Sequence, residues 1–318
     1  MSTRTLSRPP RMLGLYARTV APLLPGAARL PFLGGRGGAL PELELALPDV
    51  QVDPARLAAY AHVCGFSLRD TLPATYPHVL AFGLHLALMA DRDFPFPAVG
   101  LVHVANRIVQ HRPLQLGEAL DLHARTTPLQ PHPRGRTFAL VSEAHVGGEL
   151  VWEDHSTMLR RGAEGAGVEG AGAQDSDGDA AEGASGKARA GIGALSADAG
   201  DTGPGPLPRG AAWQLPGDLG RRYAAVSGDR NPIHMHALSA KAFGFPRAIA
   251  HGMWTKARCL AALEQRLPDS FAVAVDFRRP ILLPAQVAFA SVEEGTTIRF
   301  AVQDANDAET RHLDGRIS

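Results

Sequence analysis

Tyr223-Ala-Ala-Val-Ser-Gly-Asp-Arg-Asn-Pro-Ile-His234 has a partial echo far upstream, Tyr60-Ala-His-Val-Cys-Gly-Phe66. Arg279-Pro280-Ile281 is matched in the same way by Arg112-Pro113-Leu114, at nearly the same offset. Between these anchors each half carries an apolar run of helical character, Val79 to Ala90 in the first and Met253 to Leu267 in the second. Strand-like stretches with two-residue alternation follow. In the first half they are Leu120 to Arg125, Phe138 to Val146 and Leu150 to Met158; in the second, Val287 to Ser291 and Ile298 to Val302. A long helix followed by antiparallel strands, written twice, predicts an α+β protein of two units, each wrapping a sheet around its central helix.

The two copies differ where chemistry would sit. Phe66 stands in the place of Asp229, and the first half is about ten residues shorter between its tyrosine and its central helix. The missing stretch is the one that holds Asn231, Pro232 and His234. The expectation is one active unit, residues 207–318, and one supporting unit, residues 46–161. Between them, residues 162–206 are Gly, Ala, Ser, Asp and Glu with almost no large apolar side chain. Such a stretch cannot bury enough surface to offset its ordering entropy and reads as a flexible linker. Asp175, Asp177 and Asp179 within it lack the glycine and terminal Glu of a calcium loop, and Gly191 and Gly193 lack the strand that precedes a phosphate loop.

Residues 1–45 form an arm with Arg4, Arg8, Arg11, Arg18, Arg29 and Arg36 and no acid before Glu42. That bias resembles a transit peptide, but Ala, Arg, Gly and Pro are abundant throughout, and an extended arm packed on the domains is the favoured reading. Lys+Arg and Asp+Glu balance at 32 each, against the basic footprint of a general nucleic-acid binder. Two cysteines, Cys64 and Cys259, make no disulfide framework and fit a reducing, cytoplasmic setting. No stretch approaches the ~20 apolar residues that span a bilayer.

The chemistry concentrates after Tyr223. Gly228 should terminate a short helix, and Asn231-Pro232 should cap and start another. Asp229 then lies in the turn between them and His234 in the first turn of the second, so both could face one point. A helix N-terminus disfavours imidazolium while a nearby carboxylate favours it, and the sequence leaves that contest open. His251-Gly252-Met253 opens the central helix; glycine there admits close approach to amides with no intrahelical partner, which could hold a carbonyl oxygen as it gains charge.

Tyr-x-x-x-Ser-Gly-Asp-x-Asn-Pro-Ile-His, followed by Lys241 to Phe245 and by Ile249-Ala-His-Gly-Met253, resembles the R-specific enoyl-thioester hydratases of the MaoC-like, hot-dog fold family. Across both halves the chain is similar to a bacterial double hot-dog 3-hydroxyacyl-thioester dehydratase. The resemblance implies Asp229 and His234 as the catalytic pair and the Gly252 amide as the thioester carbonyl's donor. It places Asn231, Ser227, Tyr223 and His251 in support of the substrate loop. It also implies that the first half accommodates the acyl chain, that coenzyme A or acyl carrier protein is the thioester carrier, and that no metal, nicotinamide or flavin is required. A homodimer of such chains is left open.

Blander readings stand beside these. Asp229 alone reads as an Asx-turn residue, and Asn231-Pro232 alone as a helix start. His234, His236 and His251 could suggest a metal site, though Asn231 and Pro232 have no place in a metal signature. Ser227 lacks a Gly-x-Ser-x-Gly elbow and is expected to orient Asp229 or cap the turn. Met89 and Met253 read as helix core, His85 as a packed core side chain, and Tyr76-Pro77-His78 as a helix start. Arg112 and Arg279 read as structural, with carrier-phosphate binding as the alternative. Rival functions on the same fold are thioester hydrolysis and non-catalytic binding of acyl thioesters; keeping both Asp229 and His234 argues against the last.

Overall fold

Glycines end the two echoing helices. In the computed structural model, which describes residues 2–12, 14–16, 38–98, 100–162 and 210–318, Gly65 and Gly228 both take left-handed backbone, with φ of 81° and 79°. The expected linker, apart from Gly162, falls outside the described residues.

The chain begins with β1 (Ser2–Thr5) and β2 (Leu43–Val50), which pair in parallel. Then come α1 (Pro54–Cys64), α2 (Tyr76–Met89), β3 (Val102–Gln110), β4 (Leu120–Thr126), β5 (Gln130–His132), β6 (Gly135–Val146) and β7 (Glu149–Arg161). The second half holds β8 (Ala212–Leu215), α3 (Leu219–Ser227), α4 (Pro232–Met235), α5 (Ala237–Ala242), α6 (Gly252–Ala262), β9 (Phe271–Phe277), β10 (Ala285–Glu294), β11 (Thr297–Asp304) and β12 (Arg311–Ile317). Asp53 caps α1, accepting from the Ala55 amide at 2.9 Å, and Pro54 supplies the preset φ of a first helical residue.

All strands join one sheet, ordered β1-β2-β4-β6-β7-β3-β9-β12-β11-β10-β8, with β5 on β6. Read outward from the β3–β9 pair, the two sides repeat the same connectivity, which is the duplication seen in the sequence. Ala105 to Gln110 pair with Asp276 to Phe271 across that seam. Each half packs a long helix on the sheet: Leu84 and Leu88 of α2 are fully buried with Leu120, Leu122 and Phe138, and Leu260 of α6 with Phe300, Val302 and Leu313. The α3-to-α6 stretch, with α4 and α5, has no counterpart between α1 and α2.

Two sequence expectations shift. β2 begins at Leu43, inside the expected arm, and the arm itself starts with a strand. The helical run expected to reach Leu267 ends at Ala262, where the Leu263 amide is shared between the Cys259 and Leu260 carbonyls and the chain tightens into a 3-10 turn, Glu264–Arg266. His85 is a packed core side chain and Tyr76-Pro77-His78 opens α2, as expected; in addition His78 Nδ1 lies 2.6 Å from Asp154 Oδ2, and His85 Nε2 lies 2.5 Å from Ser142 Oγ. Cys64 and Cys259 are buried free thiols. No helix among the described residues is long and apolar enough to cross a membrane.

The seam carries a buried cation. Lys256 of α6 is wholly enclosed and donates to Asn106 Oδ1, to Val273 O at 3.2 Å and to Asn106 O at 3.4 Å. Asn106 donates in turn to Asp154 Oδ1 and to Ser156 Oγ at 3.0 Å. Burial pushes the Lys256 pKa down to about 7, with Asp154 opposing and Arg107 adding to the fall. Burial alone would raise Asp154; His78, its hydrogen bond, His85 and Lys256 hold it at about 2. Removing one partner of such a network leaves the others enclosed and unpaired. Lys256→Met should therefore cost about 3 kcal/mol of stability, read by urea denaturation with an unchanged m-value; a loss below about 0.5 kcal/mol would contradict this account of the seam.

Candidate active site

The turn after α3 is held by its own side chains. Ser227 Oγ donates to the Tyr223 carbonyl at 2.9 Å and accepts from the Asp229 amide at 3.2 Å, the orienting part expected of it. Asp229 Oδ1 accepts from the Asn231 amide at 3.1 Å, and Asn231 Oδ1 caps α4 through the Ile233 amide at 3.4 Å. α4 is a single turn that places His234 in the interior, where Nδ1–H donates to the Ile249 carbonyl at 2.8 Å. That bond fixes the tautomer and leaves Nε2 as the ring's proton acceptor. His234 lines a cavity of about 300 Å³ together with Asp229, Asn231, Tyr223, Ser227 and Gly252.

His251 precedes α6 and locks the arrangement from below. Its Nε2 donates to the Asp229 carbonyl at 3.0 Å and lies 3.7 Å from Asp229 Oδ2. Its ring stacks on His234, centroids 3.6 Å apart and planes 25° apart, and is tilted against Tyr223 at 4.8 Å. One polar atom of Asp229, His234 and His251 each falls within 4.8 Å of the others. His236, by contrast, is exposed and not in the cluster. The cluster could offer a metal three atoms. However, imidazole lone pairs lie in the ring plane, so two nearly parallel, stacked rings send theirs side by side rather than toward one ion.

Burial lowers the His234 pKa, against the opposing pull of Asp229 and the Ile249 carbonyl. Burial and His234 together push His251 down to about 3. Burial would raise Asp229, but His251, His234, the Asn231 amide and the Tyr16 hydroxyl hold it below the usual carboxylate range. The site at neutral pH is one carboxylate beside two neutral imidazoles.

Gly252 is the first residue of α6, and its amide has no intrahelical acceptor. A Cβ there would sit 2.9–3.0 Å from the Phe277 ring. Only glycine keeps this wall of the cavity open. Gly252→Ala should lower kcat/KM by at least tenfold while the fold survives; an unchanged kcat/KM would remove the Gly252 amide from the reacting centre.

Sequence reasoning missed one residue altogether. Tyr16, from the N-terminal arm, places its hydroxyl 3.1 Å from the Gly228 carbonyl and 3.4 Å from Asp229 Oδ1, and accepts from the Arg230 amide at 2.6 Å. Burial and the Asp229 charge raise its pKa, so it stays protonated and donates. The same arm lays Met12 against Gly228, with Cε 3.3 Å from where a Cβ would be. Of the paired arginines, Arg112 is engaged by Glu118 at 2.9 Å and Glu149 at 3.6 Å, whereas exposed Arg279 lines the cavity. Tyr16→Phe should lower kcat about tenfold with KM little changed; a pure KM effect would assign Tyr16 to substrate binding instead.

One sheet built from two helix-wrapping halves, with the Asp229–His234–His251 cluster in the second, defines a double hot-dog protein. A protein of Mycobacterium tuberculosis described as having a double hotdog fold superposes with a TM-score of 0.50 at 16% identity, covering 89% of this chain and 95% of that one. A family model described as MaoC like domain matches residues 216–312. The 3-hydroxyacyl-thioester dehydratase X of Mycobacterium tuberculosis is 35% identical over 246 residues, 77% of this chain and 79% of that protein. The crystal structure of HtdX from the same organism is 31% identical, with a TM-score of 0.69 over 86% of this chain and 98% of that one. The chain belongs to the MaoC-like dehydratases.

Proposed function

We propose that this protein is a hydro-lyase that reversibly hydrates trans-2-enoyl thioesters and dehydrates (3R)-3-hydroxyacyl thioesters in fatty-acid metabolism. The observation that carries this reading is the closeness of Asp229 to neutral His234 in a cavity that Gly252 also lines. Similarity to a 3-hydroxyacyl-thioester dehydratase over most of the chain supports it.

The geometry suggests a division of labour. A water held between Asp229 and His234 Nε2 attacks C3 of the enoyl thioester as the pair takes up its proton. Negative charge moves onto the thioester oxygen, where the Gly252 amide receives it; one such donor is typically worth about 3–4 kcal/mol. C2 then takes a proton, so that the elements of water have been added across the double bond. Dehydration runs the same steps backward. No metal, nicotinamide or flavin enters this scheme. The first half supplies the rest of the cavity wall, from α2, β3 and β7, and is the place for the acyl chain.

Coenzyme A and acyl carrier protein are the proposed carriers, with exposed Arg279 and Arg161 on the cavity lining as candidates to meet carrier phosphates. A cytoplasmic setting is supported by the two free thiols. Pairing into a homodimer belongs to the same proposal and is read by light scattering.

The test is a spectrophotometric assay with trans-2-enoyl-CoA of several lengths and with the matching acyl-carrier-protein thioester. Asp229→Asn and His234→Ala should each lose about 10²–10⁴-fold in kcat. Survival of activity in both variants would sink the mechanism; thiol release without hydration would favour a thioesterase, and inertness towards every substrate a binding protein. Both bases work deprotonated and both have lowered pKa values. Activity should therefore hold from neutral pH downward and fall only below the ordinary imidazole value of 6.5. An acid limb centred above 6.5 would contradict the neutral His234.

A further inference from the structure

The cavity is long in one direction. Val79, Phe82, His85 and Met89 line it, and their spacing of three and four residues makes them one face of α2 over most of its length. Its sheet side crosses four neighbouring strands, with Phe277 on β9, His103 on β3, Met158 on β7 and Leu140 on β6. His103 and Met158 stand directly opposite each other in the ladder, so they share a face of the sheet. Helix face and strand faces together bound a furrow that leads away from the second half.

The reacting end meets this furrow at two points, which allow its length to be measured twice. Phe82 Cδ1 lies 4.0 Å from where a Cβ on Gly228 would be, next to Asp229, and the Phe277 ring lies 2.9–3.0 Å from where one on Gly252 would be. From Phe82 to Met89 the helix rises about 10 Å. From Phe277 to Leu140 the sheet crosses three strand spacings, or about 14 Å. An extended chain of tetrahedral carbons advances by about 1.2 Å per bond, as a stretched backbone does, so the furrow takes roughly eight to twelve bonds. With C3 at the Asp229–His234 pair, that makes an acyl group of about eleven to fifteen carbons.

The chemistry of the walls suits an alkyl tail. Phe82, Met89, Leu140 and Met158 are apolar, and the two thioethers adapt to the shape of whatever lies against them. Polar side chains on the way are engaged elsewhere: His85 Nε2 pairs with Ser142 at 2.5 Å, and Ser156 bonds Asn106 and Asp154. His103 Nε2 is closed to solvent and places no demand on a tail. The furrow has a definite end, because α2 stops at Met89 and Asp91-Arg92-Asp93 follow, the last two exposed. Carbons beyond Met89 meet charge and water and gain nothing from burial. We infer that the acyl tail lies between α2 and strands β3, β7 and β6, that unbranched chains of about eleven to fifteen carbons are the preferred substrates, and that Met89 sets the limit. This rests on the hydratase reading and adds a substrate class to it.

The experiment measures kcat/KM of the full-length enzyme for unbranched trans-2-enoyl-CoA thioesters of rising length, from the four-carbon to the eighteen-carbon chain, each below its micelle-forming concentration. The value should climb by about two- to fourfold per added carbon, as each methylene leaves water. It should level off between about eleven and fifteen carbons, where the furrow ends. Met89→Trp fills that end and should lower the ratio of kcat/KM for the fourteen-carbon over the six-carbon thioester by about tenfold, whatever its effect on overall rate. Levelling outside the stated range, or no climb with length, would overturn the inference and leave the hydratase reading intact. So would an unchanged ratio in Met89→Trp, which would take the tail off α2. Failure to hydrate a chain of any length would instead strike the hydratase reading itself. The parent series decides the matter alone if the variant does not fold.

Discussion

The ammonium of Lys256 is the point on which the two halves turn. It rises from the central helix of the second half and ends on Asn106 of the first half's innermost strand, at the β3–β9 seam. A cation without water there must be fully bonded or it would open the fold. Asn106 passes the demand to Asp154, and Asp154 to His78, so one buried chain of bonds runs from the second half's helix into the first half's cavity wall. The register of the joined sheet, the tilt of α6 and the placement of Gly252 at its start are thus settled together. Hydrophobic packing makes each half stable; this network decides how they face each other.

The asymmetry of function follows from which half keeps its extra turn. α4 exists because Asn231 and Pro232 cap and start it, and its one turn is enough to bring His234 under Ile249 and over His251. The first half passes from α1 to α2 without such a turn. Under the proposed function, one copy would carry the chemistry and the other the substrate's tail.

Much of the frame could be read from the residues because it is local. Caps, terminating glycines and alternating strands leave short-range marks, and Gly228, Asn231-Pro232 and the start of α6 all lie where those marks put them. The failures have a common physical cause. β3 buries one face, Val104, Asn106, Ile108 and Gln110, and two of those four side chains are polar, so its residues do not read as an apolar alternation. The Asp154–His78 pair joins positions 76 residues apart, and Tyr16 meets Asp229 across 213. No spacing rule predicts such contacts, since sheet pairing and an arm's path set them. A lone tyrosine in an arginine-rich arm has no signal of its own.

The arm's route gives it a disproportionate reach. Tyr16 stands outside the sheet's ladder, yet its hydroxyl meets the Gly228 carbonyl and Asp229 Oδ1, the carboxylate proposed to carry the chemistry. Segments of this kind open locally at a free-energy cost well below that of global unfolding. Heat would then silence the enzyme before it melts it, and inactivation would reverse on cooling with the sheet never having parted. With Asp229 as the reacting carboxylate, the temperature at which catalysis fails would measure the hold of this phenol rather than the strength of the fold.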